Sequence, residues 1–174
     1  MIRGELVDLR PMTAADIEDC ERAANDPDYN GEFGSFALEG AGSVRRRFEA
    51  DGYLNHDHGR LVVIDKAGET VGGVSYIAVF HGPPPANRLY NIGIAIDPAH
   101  RRRGYGAAAQ ALLARYLFET YTVERVEAST DVENIPEQRA LERAGFTREG
   151  VLRRAQWRAG AWHDVCLFSK LRGE

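Results

Sequence analysis

Hydrophobic positions in this chain recur with two periods, every second residue or about every third to fourth, and the two patterns alternate along its length. Residues 5–10 alternate as a strand does, and Pro11 stops them because it has no N–H for a ladder. Thr13 then caps a helix, with Asp16 three residues on and Ile17, Cys20 and Ala24 along one face. Residues 25–42 break the pattern. They are polar and glycine-rich, interrupted by Tyr29, Phe33 and Phe36, and read as a substrate-side loop, a broken helix or plain surface. Ser43 begins a short helix that turns Val44 and Phe48 inward, and residues 60–65 and 70–80 are predicted strands joined at Lys66-Ala67-Gly68. The consecutive prolines Pro83, Pro84 and Pro85 make 81–87 a loop.

Residues 89–96 are the next strand, 107–118 a helix with Ala109, Leu113 and Leu117 on one face, and 125–129 a further strand. Asn134 caps the following helix as half of a capping box with Glu137, Pro136 sitting in its first turn, and Gly145 closes it. Phe146 opens a final pair of strands that turns at 158–161. No low-complexity linker and no internal repeat interrupts this alternation, so one α/β domain over 1–174 is expected.

Two segments carry candidate chemistry. On the strand 89–96, Tyr90, Ile92, Ile94 and Ile96 share one face, while Asn91, Gly93 and Ala95 share the other, which is small enough for a peptide-like molecule to approach the backbone. Directly after it comes Arg101-Arg102-Arg103-Gly104-Tyr105-Gly106, leading into a helix. Two glycines let the backbone turn so that successive N–H groups at the helix start face one anion, and the arginines add charge. Neither a P-loop nor a three-glycine dinucleotide fingerprint fits, since no Gly-Lys-Ser/Thr follows and no third glycine stands near Gln110. The alternatives are a pyrophosphate cradle and a basic loop with an ordinary helix start.

Composition narrows the classes. A chain of 174 residues, 44% hydrophobic, can bury a sizeable core, and a formal charge of −4 argues against sequence-independent nucleic-acid binding. Arg45, Arg46 and Arg47 read as the solvated side of a short helix. No N-terminal apolar segment and no run near the roughly 20 residues of a membrane helix is present, so a cytoplasmic protein without a membrane partner is expected. Cys20 and Cys166 read as small core residues rather than a disulfide, and His56 and His58 as a polar turn rather than a metal site; no metal is expected.

The glycine turn resembles the Arg/Gln-x-x-Gly-x-Gly/Ala motif of the GCN5-related N-acetyltransferase (GNAT) superfamily. The segments 131–136, 140–146, 150–153 and 162–165 look like the C-terminal half of its RimJ/RimL-type branch. That resemblance covers nearly the whole chain and implies a mixed, twisted sheet of about seven strands flanked by helices and splayed in the middle, where acetyl-coenzyme A (acetyl-CoA) enters. It implies an N-acetyltransferase that passes an acetyl or other acyl group directly to a primary amine in a ternary complex, the acceptor being a protein N-terminus or a small amine and the protein a monomer or homodimer. The backbone around Ile94, Ala95 and Ile96 would hold pantetheine and polarise the thioester. Arg101, Arg102, Arg103, Gly104, Tyr105, Gly106 and Ala107 would hold the pyrophosphate, and Asn134 would reach a pantetheine amide.

The departures from the family bear on catalysis. Asn91 occupies the central-strand position where members of the branch often carry Glu, and an amide takes no proton at neutral pH. Glu137 and Leu141 stand where many members carry a Ser and an acid Tyr, which motivates the alternative of a non-catalytic coenzyme A-binding or sensor domain. Candidates for a base are Glu32, His81 and Asp131 or Glu133, with a water chain as another route. Tyr29, Phe33 and Phe36 with Glu32 would wall the acceptor site.

Overall fold

The computed structural model describes residues 1–34 and 36–174. Its strands are β1 (Ile2–Arg3), β2 (Val7–Pro11), β3 (His58–Asp65), β4 (Thr70–Phe80), β5 (Arg88–Ile96), β6 (Arg125–Asp131), β7 (Thr147–Arg158) and β8 (Ala161–Leu171). They form one mixed sheet in the order β1-β2-β3-β4-β5-β6-β8-β7. The helices are α1 (Ile17–Ala24), α2 (Pro27–Gly34), α3 (Ser43–Asp51), α4 (Tyr105–Thr120) and α5 (Ile135–Arg143). This is the expected GNAT-type α/β arrangement, with the two-residue β1 as the added strand.

Elements lie close to the ranges their patterns predict, with shifts that have local causes. Pro11 is the last residue of β2, paired to Leu61, because a strand end tolerates a missing donor. Helix α4 starts at Tyr105 rather than 107 because Gly104, at φ +82°, takes the left-handed N-cap position. Of the readings for 25–42, the broken helix holds for α2, which is interrupted at Gly31 (φ +64°, ψ −176°), a conformation open to glycine alone. The arginines 45–47 are exposed on α3, as expected.

The sheet is covered on both faces. Helix α4 packs on β1, β2, β4 and β5, and α5 on α4, β6 and β7. Leu113, Leu117, Leu141 and Phe168 are fully buried in the larger core between them, each large side chain contributing about 1.5–3 kcal/mol. On the opposite face α1 and α3 set Ile17 and Val44 against Met12, Val62 and Ile64. Strand β3 therefore buries both of its faces, Leu61 and Val63 toward α4, Val62 and Ile64 toward α1. Cys166 is buried and Cys20 half-buried. Among the described residues no helix is long and apolar enough to cross a membrane.

One irregularity in the sheet positions everything that follows. Strands β5 and β6 are the parallel pair, and they pair only at Tyr90 with Val126, Asn91 with Glu127 and Ile92 with Ala128. Beyond Ile92 the strands no longer pair, while β5 stays bonded to β4 and β6 to β8 to their ends.

Candidate active site

The parting of β5 and β6 leaves residues 93–96 without a ladder partner on the β6 side. Such unpaired backbone is a ready partner for an amide-bearing molecule. On the face away from α4, the floor beside it is small: Gly93 lies opposite Ser75, and Ala95 opposite Gly73. Ile77, Asn91 and Glu127 line up across β4, β5 and β6 at the point where the strands separate.

The glycine turn lies at the end of this opening. A short helical turn at Pro98–His100 follows β5, Arg102 and Gly104 both adopt positive φ, and α4 begins. The first bond of the helix runs from Ala108 N–H to Gly104 carbonyl at 3.1 Å. A helix leaves its first N–H groups without internal acceptors, so Tyr105, Gly106 and Ala107 present donors at the positive end of a 16-residue dipole. An anionic pyrophosphate fits there. The arginines divide their work: Arg101 donates to the Ile96 carbonyl at 2.9 Å and the Tyr29 carbonyl at 2.7 Å, tying the turn to β5 and α2. Arg103 reaches Ala99 carbonyl at 3.3 Å, and Arg102 is exposed.

Of the predicted bases, His81 reaches the Asn91–Glu127 row, next to which β5 and β6 part, through Glu127. Its Nε2 lies 2.8 Å from Oε1 of Glu127, a carboxylate only 5% exposed, while the imidazole is 60% exposed. Arg125 also bonds Glu127, and its other nitrogens clamp Glu149, whose carboxyl is held at about 2 by Arg125 and Ser169. A carboxylate accepts and does not donate, so the pair is held by Nε2–H of His81 donating to Glu127. Asn91 is half-buried next to this pair. The Glu127 carboxylate was not read from the sequence; alternation places Arg125, Glu127, Ser129 and Asp131 on one face, yet cannot tell a solvent face from a cleft.

Asp131 lies about 13 Å further along β6. It is buried and bonded to Arg158 at 2.7 Å and to the Glu133 N–H at 2.8 Å, with His163 at 3.3 Å. Burial favours its neutral form, but the Glu133 N–H and Arg158 outweigh that and keep its pKa below the ordinary carboxylate value. It is occupied as a structural hub, and Glu133 beside it is exposed. Glu32 is exposed on α2, and its neighbour Phe33 stacks under the Arg158 guanidinium at 5.4 Å. The three aromatics do not form one wall: Tyr29 turns its hydroxyl to Asp97, with its pKa pushed up to about 12 mainly by burial, and Phe36 is exposed.

Helix α5 departs from the capping box expected of it. Asn134 accepts from the Glu137 N–H at 3.4 Å and donates to Thr130 at 3.0 Å, but its own N–H bonds the Asp131 carbonyl. The Glu137 carboxyl is thereby free to lie against Gln110 of α4, where burial raises its pKa to about 7, with Gln110 offsetting part of the rise. Leu141 is core. Because the folded value exceeds the ordinary one of about 4.3, stability is complete below about 4.3 and is lost as pH rises from there through about 7. Glu137→Gln is expected to stabilise the protein by about 1–2 kcal/mol near pH 8, a figure reduced for partial solvent access. The gain should vanish below about pH 4, as denaturant unfolding at the two pH values would read.

Comparison with known proteins converges on one family. Residues 7–147 match the acetyltransferase (GNAT) domain. A probable N-acetyltransferase of Bacillus subtilis (strain 168), YjcK, is 28% identical over 173 residues, 94% of this chain and 93% of its own. The structure of spermidine N-acetyltransferase from Vibrio cholerae in complex with CoA and spermine is similar at a TM-score of 0.79 and 20% identity, covering 95% of both chains. RimL, a ribosomal L7/L12 alpha-N-protein acetyltransferase in complex with coenzyme A, is similar at 0.79 and 17%, covering 98% of this chain and 97% of the other.

Proposed function

We propose, for a chain that belongs to the GNAT acetyltransferase family and is an acetyl-CoA-dependent N-acetyltransferase, a RimJ/RimL-type enzyme that acetylates a primary amine by direct transfer at the opening between β5 and β6. The observation that carries this reading is the joint position of the unpaired 93–96 backbone, the α4 N-terminus and the His81–Glu127 pair around one opening. Acetyl-CoA supplies the activated acyl group, whose C–S bond breaks as the amine nitrogen forms the new C–N bond, coenzyme A leaving as its thiolate. Backbone near Ile94, Ala95 and Ile96 binds the pantetheine arm and polarises the carbonyl, and Asn134 offers its remaining amide valence to that arm. Residues Arg102 to Ala107 bind pyrophosphate, with Arg101 acting from behind by fixing the turn. His81 accepts the amine proton at Nδ1, Glu127 holding the ring and its tautomer. Asp131 does not serve as the base, since its charge is committed to Arg158.

Gly106 gives a clean test of the cradle. A Cβ there would meet Ile96 at 3.8 Å, an ordinary contact, so the fold itself tolerates a side chain. Gly106→Val is therefore expected to weaken coenzyme A binding tenfold or more, on the order of 1.4 kcal/mol, by blocking approach to the helix N–H groups. The melting temperature should stay near wild type. Gly104→Val should lose both affinity and stability, because φ +82° strains any L side chain. Calorimetric titration with coenzyme A reads the outcome, and unchanged affinity in folded Gly106→Val would remove the cradle assignment.

A further inference from the structure

A pocket of about 350 Å³ opens on the acceptor side of the sheet, between α1, α2 and the β3–β4 hairpin. That volume suits a small molecule. Asp16, Asp19, Asp26, Asp97, Arg22 and Arg60 are its charged lining residues. Each acid has a commitment: Asp16 to Arg10 at 2.7 Å, Asp19 to Arg22 at 2.9 Å, Asp26 to the N–H groups of Asp28 and Tyr29, and Asp97 to the Tyr29 hydroxyl. Arg60 has none. Among the described residues its guanidinium makes no hydrogen bond, ion pair or ring contact, although the residue is half-buried in the middle of β3. A guanidinium cannot shed its charge, so one that lines the pocket without a protein acceptor favours an anion there.

Its position relates it to the transfer site. The Nε of Arg60 lies 3.8 Å from the point a Cβ on Gly73 would occupy, and Gly73 pairs with Ala95 of β5. The guanidinium thus lies over β4, about one strand spacing of 4.8 Å from the strand that borders the opening. A short amino acid spans that gap with its carboxylate on Arg60 and its amine over residues 93–95, whereas a polyamine would set a cation against Arg60.

We propose that the acceptor is a small amine that also carries a carboxylate, and that Arg60 binds this carboxylate. The proposal rests on the acetyl-transfer reading above and names its substrate class. A charge-assisted contact of this kind corresponds to about ten- to hundredfold in specificity.

Thiol release from acetyl-CoA should be measured with free α-amino acids, β-alanine and γ-aminobutyrate, each beside its amidated or decarboxylated counterpart, and with spermidine and a short peptide amide. The carboxylated amines are expected to exceed their counterparts at least about tenfold in kcat/KM. Arg60→Gln should bring that ratio close to one, chiefly through KM, and Arg60→Lys should keep part of it. Coenzyme A titration verifies that both variants are folded. Transfer to spermidine or peptide with no preference for a carboxylate, or a preference that persists in Arg60→Gln, overturns the Arg60 assignment and leaves acetyl transfer standing. No thiol release with any amine overturns both.

Discussion

Replacing His81 by alanine is expected to lower kcat about 100-fold or more while leaving the KM for acetyl-CoA near its wild-type value. The imidazole is the one predicted base that is both solvent-exposed and bonded to a buried carboxylate, Glu127 lying 2.8 Å from Nε2. A group that acts on the amine proton contributes in the transfer step, not in cofactor binding, so the loss belongs in kcat. Added imidazole should restore part of the rate in His81→Ala, since the vacated volume opens to solvent. Glu127→Gln tests the positioning role: kcat should fall by about tenfold, and the double variant should be no slower than His81→Ala alone. A His81→Ala enzyme within about threefold of wild type would sink the assignment and move the proton to water or Glu32.

The second large effect concerns stability. Arg158→Met removes the guanidinium from the buried Asp131 carboxylate, and breaking such a pair from one side costs about 3–5 kcal/mol. For a chain of this length that corresponds to a melting temperature lower by roughly 10 °C. Asp131 has its pKa depressed in the fold by the Glu133 N–H and Arg158 against the opposing effect of burial. The pair's contribution is therefore present above the unfolded carboxylate value near 3.9 and lost as pH falls below it. The penalty of Arg158→Met should shrink progressively as pH falls below about 3.9, because a neutral Asp131 needs no cation. An Arg158→Met variant as stable as wild type at neutral pH would show that the pair is dispensable.

Much of the fold, and the local shape of the proposed cofactor turn, was legible in the linear pattern. Period-two runs gave the strand from Thr70 to Phe80 with its boundaries, Gly145 closed α5 at φ +84°, and the turn at 158–161 reversed the last two strands where expected. These are local consequences: each depends on residues within a few positions, whose backbone preferences act whatever the rest of the chain does. The turn Arg101 to Gly106 belongs to the same class, since strand, glycine turn and helix start are contiguous.

What the chain could not announce is which distant residues share the opening. Glu127 looked like any charge on an alternating strand until register set it beside Asn91 and brought His81 over it from 46 positions away. Glu137 matched a capping box, but the Asp131 carbonyl took the partner N–H and released the carboxyl into the α4–α5 groove. Asp131 read as a candidate base, and the fold pairs it with Arg158 from 27 residues later. Tyr29, Phe33 and Phe36 formed a plausible wall in sequence, and the break at Gly31 sent them to separate surroundings. Sequence by itself determined the elements and the glycine turn that starts α4, because short-range sterics and hydrogen bonding decide those. Tertiary structure alone decided which charges are paired and which, like Arg60 among the described residues, lack a protein acceptor, because pairing and desolvation depend on neighbours that only the folded sheet brings within reach.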